Sequence, residues 1–126
     1  MKTCLVVDDS GLVRKIARRI LERLGFLVEE AADGQIALDC CAKAMPDVIL
    51  LDWEMPNVSG IECLRRLRAT EAGKAPKVIF CTSLNDMEHI AAALEAGADE
   101  YIMKPFDDDI LHEKLEAVGL AEKDLL

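Results

Sequence analysis

The chain predicts a doubly wound α/β fold: a five-stranded parallel sheet in the order 2-1-3-4-5, with helices on both faces. Three observations carry the prediction. Five short apolar runs alternate with five stretches whose apolar residues recur at helical spacing. Gly, Pro or Asp punctuates the changeovers. Right-handed crossovers leave few other topologies for such an alternation in 126 residues.

Cys4 to Val7 is the first apolar run. It stops at Asp8-Asp9, and Ser10 supplies a helix N-cap before Leu12, Val13, Ile16, Ile20, Leu21 and Leu24. Gly25 ends that helix, and Phe26-Leu27-Val28 opens a second strand towards Ala31. Asp33-Gly34 marks a turn, after which Ile36, Ala37, Leu38, Cys41 and Ala42 give a second helix closed by Met45-Pro46. The run Asp47-Val48-Ile49-Leu50-Leu51-Asp52 is apolar throughout its middle, as a strand covered on both faces requires. Asn57-Val58-Ser59-Gly60 then leads into a third helix, with Ile61, Leu64 and Leu67 inward and Arg65, Arg66 and Arg68 outward. Thr70 to Lys74 is expected to be a polar connection. Lys77 to Thr82 forms the fourth strand, and Asn85 or Asp86 is placed to cap a fourth helix carrying Met87, Ile90, Ala91, Leu94 and Ala96 up to Gly97. Glu100 to Met103 is the fifth strand. Asp107, Asp108 and Asp109 favour the amino end of a last helix with Ile110, Leu111, Leu115 and Val118 inward.

A composition that is 52% hydrophobic at this length suits one domain, residues 1–126, around a single core. The net charge of -9 argues against a nucleic-acid or anionic-membrane surface, and Arg14, Lys15, Arg18 and Arg19 read as one solvated helix face. Five cysteines without a C-x-x-C pair predict reduced thiols. No apolar run approaches membrane-spanning length, and Met1-Lys2-Thr3 leads straight into a strand. The expectation is a cytoplasmic monomer.

Polar residues follow the apolar runs in a pattern. Asp8 and Asp9 come after the first, Asp52 ends the third, Thr82 and Ser83 close the fourth, and Lys104 follows the fifth. Parallel strands bring all of these to one sheet edge, at the switch point between strands one and three. Each residue alone has an ordinary reading as a turn former, a cap or a strand residue. Their coincidence points to chemistry. Three crowded carboxylates require a cation, and hard oxygen donors suit Mg²⁺. A lysine and a hydroxyl supply donors for an anion, so a phosphoryl group could sit there while an Asp attacks it. His89 and His112 read as helix residues without a ligand partner at i+4, and Met55 and Met87 as packing residues. Trp53, beside Asp52, is placed to cover the site.

Val6-Val7-Asp8-Asp9-Ser10, Leu50-Leu51-Asp52-Trp53-Glu54-Met55-Pro56 with Gly60, Cys81-Thr82-Ser83 and Tyr101-Ile102-Met103-Lys104-Pro105-Phe106 resemble the receiver domain of two-component response regulators over nearly the whole chain. Asp52-Trp53 and the stretch from Glu100 to Phe106 are similar to the single-domain chemotaxis regulators, particularly their alphaproteobacterial branch. The resemblance implies a flavodoxin-like sheet and no enzymatic turnover of an external substrate. It implies that Asp52 is the phosphoacceptor, charged by the phosphohistidine of a sensor kinase such as CheA. Asp9 would bind Mg²⁺ directly and Asp8 through water, with Asp52 and the backbone carbonyl of Glu54 completing the set. Lys104 and Thr82 would hold phosphoryl oxygens, Tyr101 would turn inward as an aromatic switch, and Lys104-Pro105 would be a cis peptide. The surface of the fourth helix, fifth strand and fifth helix would meet a partner, the flagellar motor switch protein FliM in a chemotaxis system. Ser83 stands where alanine is frequent, and Glu54 and Leu84 stand where the family sets hydrolysis of the phosphoryl group. Asp86 and Met87 replace lysines familiar in enteric chemotaxis regulators.

Competing readings differ in specific residues. A flavodoxin-like cofactor binder uses a Gly, Ser and Thr-rich phosphate loop after the first strand, where Asp8-Asp9 would repel an anion lacking a metal. A phosphatase of the haloacid dehalogenase type wants D-x-D at the nucleophile, where this chain has Asp52-Trp53-Glu54. Within the receiver reading, a phosphate sink or a cell-cycle and development regulator is the alternative to chemotaxis.

Overall fold

A computed structural model of the protein describes residues 2–83 and 87–121. Strands β1 (Thr3–Val7), β2 (Leu27–Ala31), β3 (Val48–Asp52), β4 (Lys77–Thr82) and β5 (Glu100–Met103) alternate with helices α1 (Gly11–Arg23), α2 (Gly34–Lys43), α3 (Gly60–Arg68), α4 (Met87–Glu95) and α5 (Asp108–Ala117). The strands form one sheet in the order β2-β1-β3-β4-β5 with every pairing parallel, as the alternation predicts.

Strand periodicity sorts the core into two layers. Leu5, Val7, Ile49, Leu51, Val78 and Phe80 pack with Cys41, Leu64 and Ala93 of α2, α3 and α4. Cys4, Val6, Leu50, Ile79 and Ile102 pack with Ile20, Leu21, Leu111 and Leu115 of α1 and α5. All five residues of β3 are buried, so Asp52 ends a strand that is dry along its whole length. The cysteines are free thiols, and four of the five are buried. Burial pushes the Cys4 thiol up to about 12, which leaves it an apolar packing group without nucleophilic character.

Sequence-read helix starts are realised as side-chain caps. Ser10 accepts from the Val13 amide, Asp33 from Ile36, Ser59 from Glu62 and Asp107 from Ile110. The expected cap of α4 by Asn85 or Asp86, and the position of Leu84, lie outside the described residues. Strand three starts at Val48, and the Asp47 carboxylate just before it accepts the Thr3 amide at 2.8 Å. Residues Ala72–Lys74 form a turn of 3₁₀ helix within the expected polar connection.

Several side chains expected inside are outside. Leu12 is 69% exposed and Ile16 also faces out, because the stripe that meets the sheet runs through Ala17, Ile20 and Leu21. Apolar size cannot distinguish two stripes one residue apart on a helix. Ile36, Leu94 and Ile110 are exposed for the same reason, and Met87, read as a packing residue, is 75% exposed.

Arg68, expected outward with Arg65 and Arg66, is the larger correction. Its side chain is 15% exposed and ties three backbone segments together. The guanidinium donates to the carbonyls of Gly97 at 3.0 Å, Gly73 at 2.9 Å and Pro76 at 2.8 Å, and to Asp99 Oδ2 at 3.0 Å. Planar fork geometry with five donors makes arginine the residue that can satisfy carbonyls from separate loops at once. Replacing Arg68 by Met strands those acceptors and should cost about 2–3 kcal/mol in urea denaturation. Arg66→Ala removes an exposed i,i+4 pair with Glu62 and should cost about 0.5 kcal/mol or less.

Candidate functional site

The carboxyl edge of the sheet gathers what the sequence placed there. Asp8 follows β1, Asp52 ends β3 and Thr82 ends β4, and all three are buried polar residues. Lys104 follows β5 and reaches back across the edge. Its Nζ donates to Asp8 Oδ2 at 2.7 Å and to Asp52 Oδ1 at 2.7 Å. Asp9 is exposed beside them, and oxygens of Asp8, Asp9 and Asp52 lie within 4.8 Å of one another. Oxygen donors of one charge at that spacing fit a small divalent cation.

Backbone bonds explain why the groups hold this geometry. The Lys104 amide donates to the Thr82 carbonyl at 2.9 Å, which carries the strand pairing past β5. Lys104-Pro105 is a cis peptide, as the resemblance implied. Asp8 Oδ1 accepts the Ser10 amide at 2.9 Å, and Arg14 donates to the Asp8 carbonyl at 2.6 Å. The Trp53 amide donates to Cys81, and the Trp53 carbonyl accepts from Gly60. A Cβ on Gly60 would collide with the Asp52 carbonyl, so the start of α3 and the end of β3 are in contact that glycine alone permits. Sequence reasoning noted Gly60 as part of a motif and missed this contact.

A cavity of about 210 Å³ opens among these groups, lined by Asp9, Asp52, Trp53, Glu54, Thr82, Ser83 and Lys104. The cavity opens beside the Lys104–Asp52 hydrogen bond, so both charged groups face it. Glu54 is exposed at its rim. Tyr101 does not line the cavity. Its half-buried ring packs against the layer below α3 and α4, with Lys114 Nζ 4.5 Å above it. The Trp53 indole packs against Phe80 and His89. His112, read as lacking a partner at i+4, has Glu116 there at 3.3 Å.

Electrostatics at the site oppose one another. Burial raises the Asp52 carboxyl above its ordinary value of 3.8; the hydrogen bond and charge of Lys104 draw it back, while Asp8 and Asp9 push it further up. Burial by itself would lower Lys104, but its bonds to Asp52 and Asp8, with their charges, outweigh that and hold the ammonium protonated. The cluster stores repulsion that one lysine partly relieves.

Comparisons with known proteins agree with this geometry. The family model of the response regulator receiver domain matches residues 4–116. The chain is similar to the chemotaxis protein CheY-3 of Vibrio cholerae, 39% identical over 115 residues that cover 90% of this chain and 88% of that protein. It is also similar to the phosphate regulon transcriptional regulatory protein PhoB of Pseudomonas aeruginosa, 39% identical over 117 residues that cover 93% of this chain and 51% of PhoB. Among solved structures, the chemotaxis response regulator CheY4 of Vibrio cholerae aligns with a TM-score of 0.89 at 33% identity, covering 94% of this chain and 98% of that one. The receiver domain of the sensor histidine kinase PA1611 from Pseudomonas aeruginosa, solved with a magnesium ion coordinated in its active-site cleft, aligns with a TM-score of 0.85 at 28% identity, covering 94% and 98%.

A raised carboxyl pKa in the folded state has a definite sign for stability. Protonated Asp52 favours folding, and that contribution is lost as pH rises through its folded value. Asp52→Asn removes the charge and keeps the shape. In EDTA the variant should melt higher than the unsubstituted protein at neutral pH, with the gap shrinking as pH falls towards 3.8. Thermal melts across pH 3 to 8 check this.

Proposed function

The chain belongs to the response regulator receiver family, and from that premise we propose that it is a phosphoryl-accepting switch whose acceptor is Asp52. The observation that carries the reading is Lys104 Nζ at 2.7 Å from both Asp8 and Asp52, at the wall of a cavity that Thr82 also lines. An ammonium so placed can follow negative charge as it moves from carboxylate to phosphoryl oxygen.

In the proposed step an Asp52 carboxylate oxygen attacks the phosphorus of a kinase phosphohistidine. The new P–O bond forms as the P–N bond breaks, and the departing imidazole nitrogen takes up a proton. Lys104 then binds one phosphoryl oxygen and the Thr82 hydroxyl another. Asp8, Asp9, Asp52 and the Glu54 backbone carbonyl would hold Mg²⁺. Bound there, the ion supplies positive charge against the carboxylates and the roughly -1.5 to -2 charge of the phosphoryl group. Drawing Thr82 towards the phosphoryl group vacates space beside β4, and Tyr101 turns into it. The α4, β5 and α5 surface changes shape, and a partner reads the change.

The donor proposed is a sensor histidine kinase of the CheA type in the cytoplasm, and the partner the flagellar motor switch protein FliM. Similarity to CheY-3 over 88% of that protein supports chemotaxis. A second reading within the family is a phosphate sink or a cell-cycle and development regulator; equal identity, 39%, to the transcriptional regulatory protein PhoB means that identity alone does not single out chemotaxis.

Acetyl phosphate or phosphorylated CheA with Mg²⁺ should add one phosphoryl group to the chain, and EDTA or Asp52→Asn should prevent it. Lys104→Ala should slow transfer by roughly 10²-fold or more. Mass spectrometry of the labelled protein checks all three, and persistent labelling of the Asp52→Asn variant elsewhere would refute the assignment. Mg²⁺ at about 100 times its Kd should stabilise the protein by about 2.7 kcal/mol, and Asp9→Asn should abolish most of that gain. Capture of FliM by the phosphorylated form alone decides for the motor over the sink.

A further inference from the structure

We propose that the contact between Trp53 and His89 is a brake that holds α4 in its resting register, with His89 as the positioning residue. The proposal rests on the reading of Asp52 as acceptor. It adds a connection to α4 that does not pass through Tyr101.

Trp53 is the fixed half of the pair. Its amide donates to the Cys81 carbonyl at 2.9 Å, and its carbonyl accepts from Gly60 at 3.1 Å. Gly60 in turn sits so close to the Asp52 carbonyl that no Cβ fits, which leaves the segment after Asp52 without slack. The indole meets the buried ring of Phe80 edge-on, with centroids 5.2 Å apart and planes at 71°. Backbone and side chain are thus both held by the sheet.

His89 is the movable half. It is the third residue of α4, and its imidazole meets the same indole edge-on at 4.4 Å and 79°. That helix is lightly held, since its buried residues are Ile90 and Ala93. It also begins five residues after Thr82, so its first turn is close in the chain to the end of β4. A shift of α4 carries the imidazole off a stationary indole.

The sign follows from linkage. A contact made in the resting arrangement and weakened in the switched one opposes switching, and therefore opposes binding of the group that drives it. An edge-to-face ring pair is worth a factor of about 2 to 10 in such an equilibrium. Trp53 lies next to Asp52 in the chain, so its contact with His89 joins the acceptor segment to the output helix.

The test uses the full chain, saturating Mg²⁺ and beryllium trifluoride as a tetrahedral phosphoryl analogue, with affinity measured by calorimetry. His89→Ala should bind the analogue about 2- to 10-fold more tightly than the unsubstituted protein, and His89→Phe, which keeps an edge-on ring, should bind with unchanged affinity. Amide exchange over residues 87–95 of free His89→Ala should move towards that of the analogue-bound unsubstituted protein. Mere damage to the fold would weaken binding, so tightening identifies the brake. Equal or weaker binding by His89→Ala overturns the proposal. If Asp52→Asn binds the analogue as well as the unsubstituted protein, the acceptor reading itself fails and the brake falls with it.

Discussion

One ammonium between two carboxylates organises this protein. Asp8 and Asp52 end adjacent strands that are apolar along their length, so both charges sit where water is scarce. Ionised groups in that position need compensation, and Lys104 supplies it from β5, two strands further along the sheet than β3. The compensation is incomplete. Three aspartates share the edge with Lys104, and the negative charge left over suits a cation.

The rest of the fold keeps that edge rigid. Two apolar layers cover both faces of the sheet, and the strands between them cannot slide without turning side chains from one layer to the other. Below the edge, Arg68 ties the end of α3 to the loops before β4 and β5. At the edge itself, Gly60 lets α3 start directly against Asp52. The elements on the far side of β4 are less deeply buried. Of these α4 is held by two buried residues, and Tyr101 of β5 lies half-exposed under the Lys114 ammonium.

These features divide the site into a stationary part and a responsive part. Asp8, Asp52 and Trp53 belong to the strands and turns that the core fixes. Thr82 stands at the junction, at the end of a buried strand whose continuation leads to α4. Under the proposed function, a change in charge at Asp52 would meet closer packing on one side than on the other. This asymmetry suits the proposed function, in which an acceptor needs a fixed geometry and an output surface a softer one.

Much of this was legible in the amino-acid sequence. The strand-helix alternation, the helix cap at Ser10, the helix starts after Asp33 and Asp107, and the convergence of Asp8, Asp52, Thr82 and Lys104 follow from apolar periodicity, turn and cap residues, and the parallel direction that alternation imposes. The element signals are local, and the topology they impose brings the strand ends to one edge. Tertiary structure alone decided which of two neighbouring stripes of α1 faces inward, and it buried Ala17 where Leu12 was expected. It also turned Arg68 from a solvated charge into a tie between loops, placed Lys104 equally between two carboxylates, and set His89 against Trp53. Those outcomes join residues distant in sequence, and whether an arginine finds carbonyls or water depends on backbone that other segments bring to it.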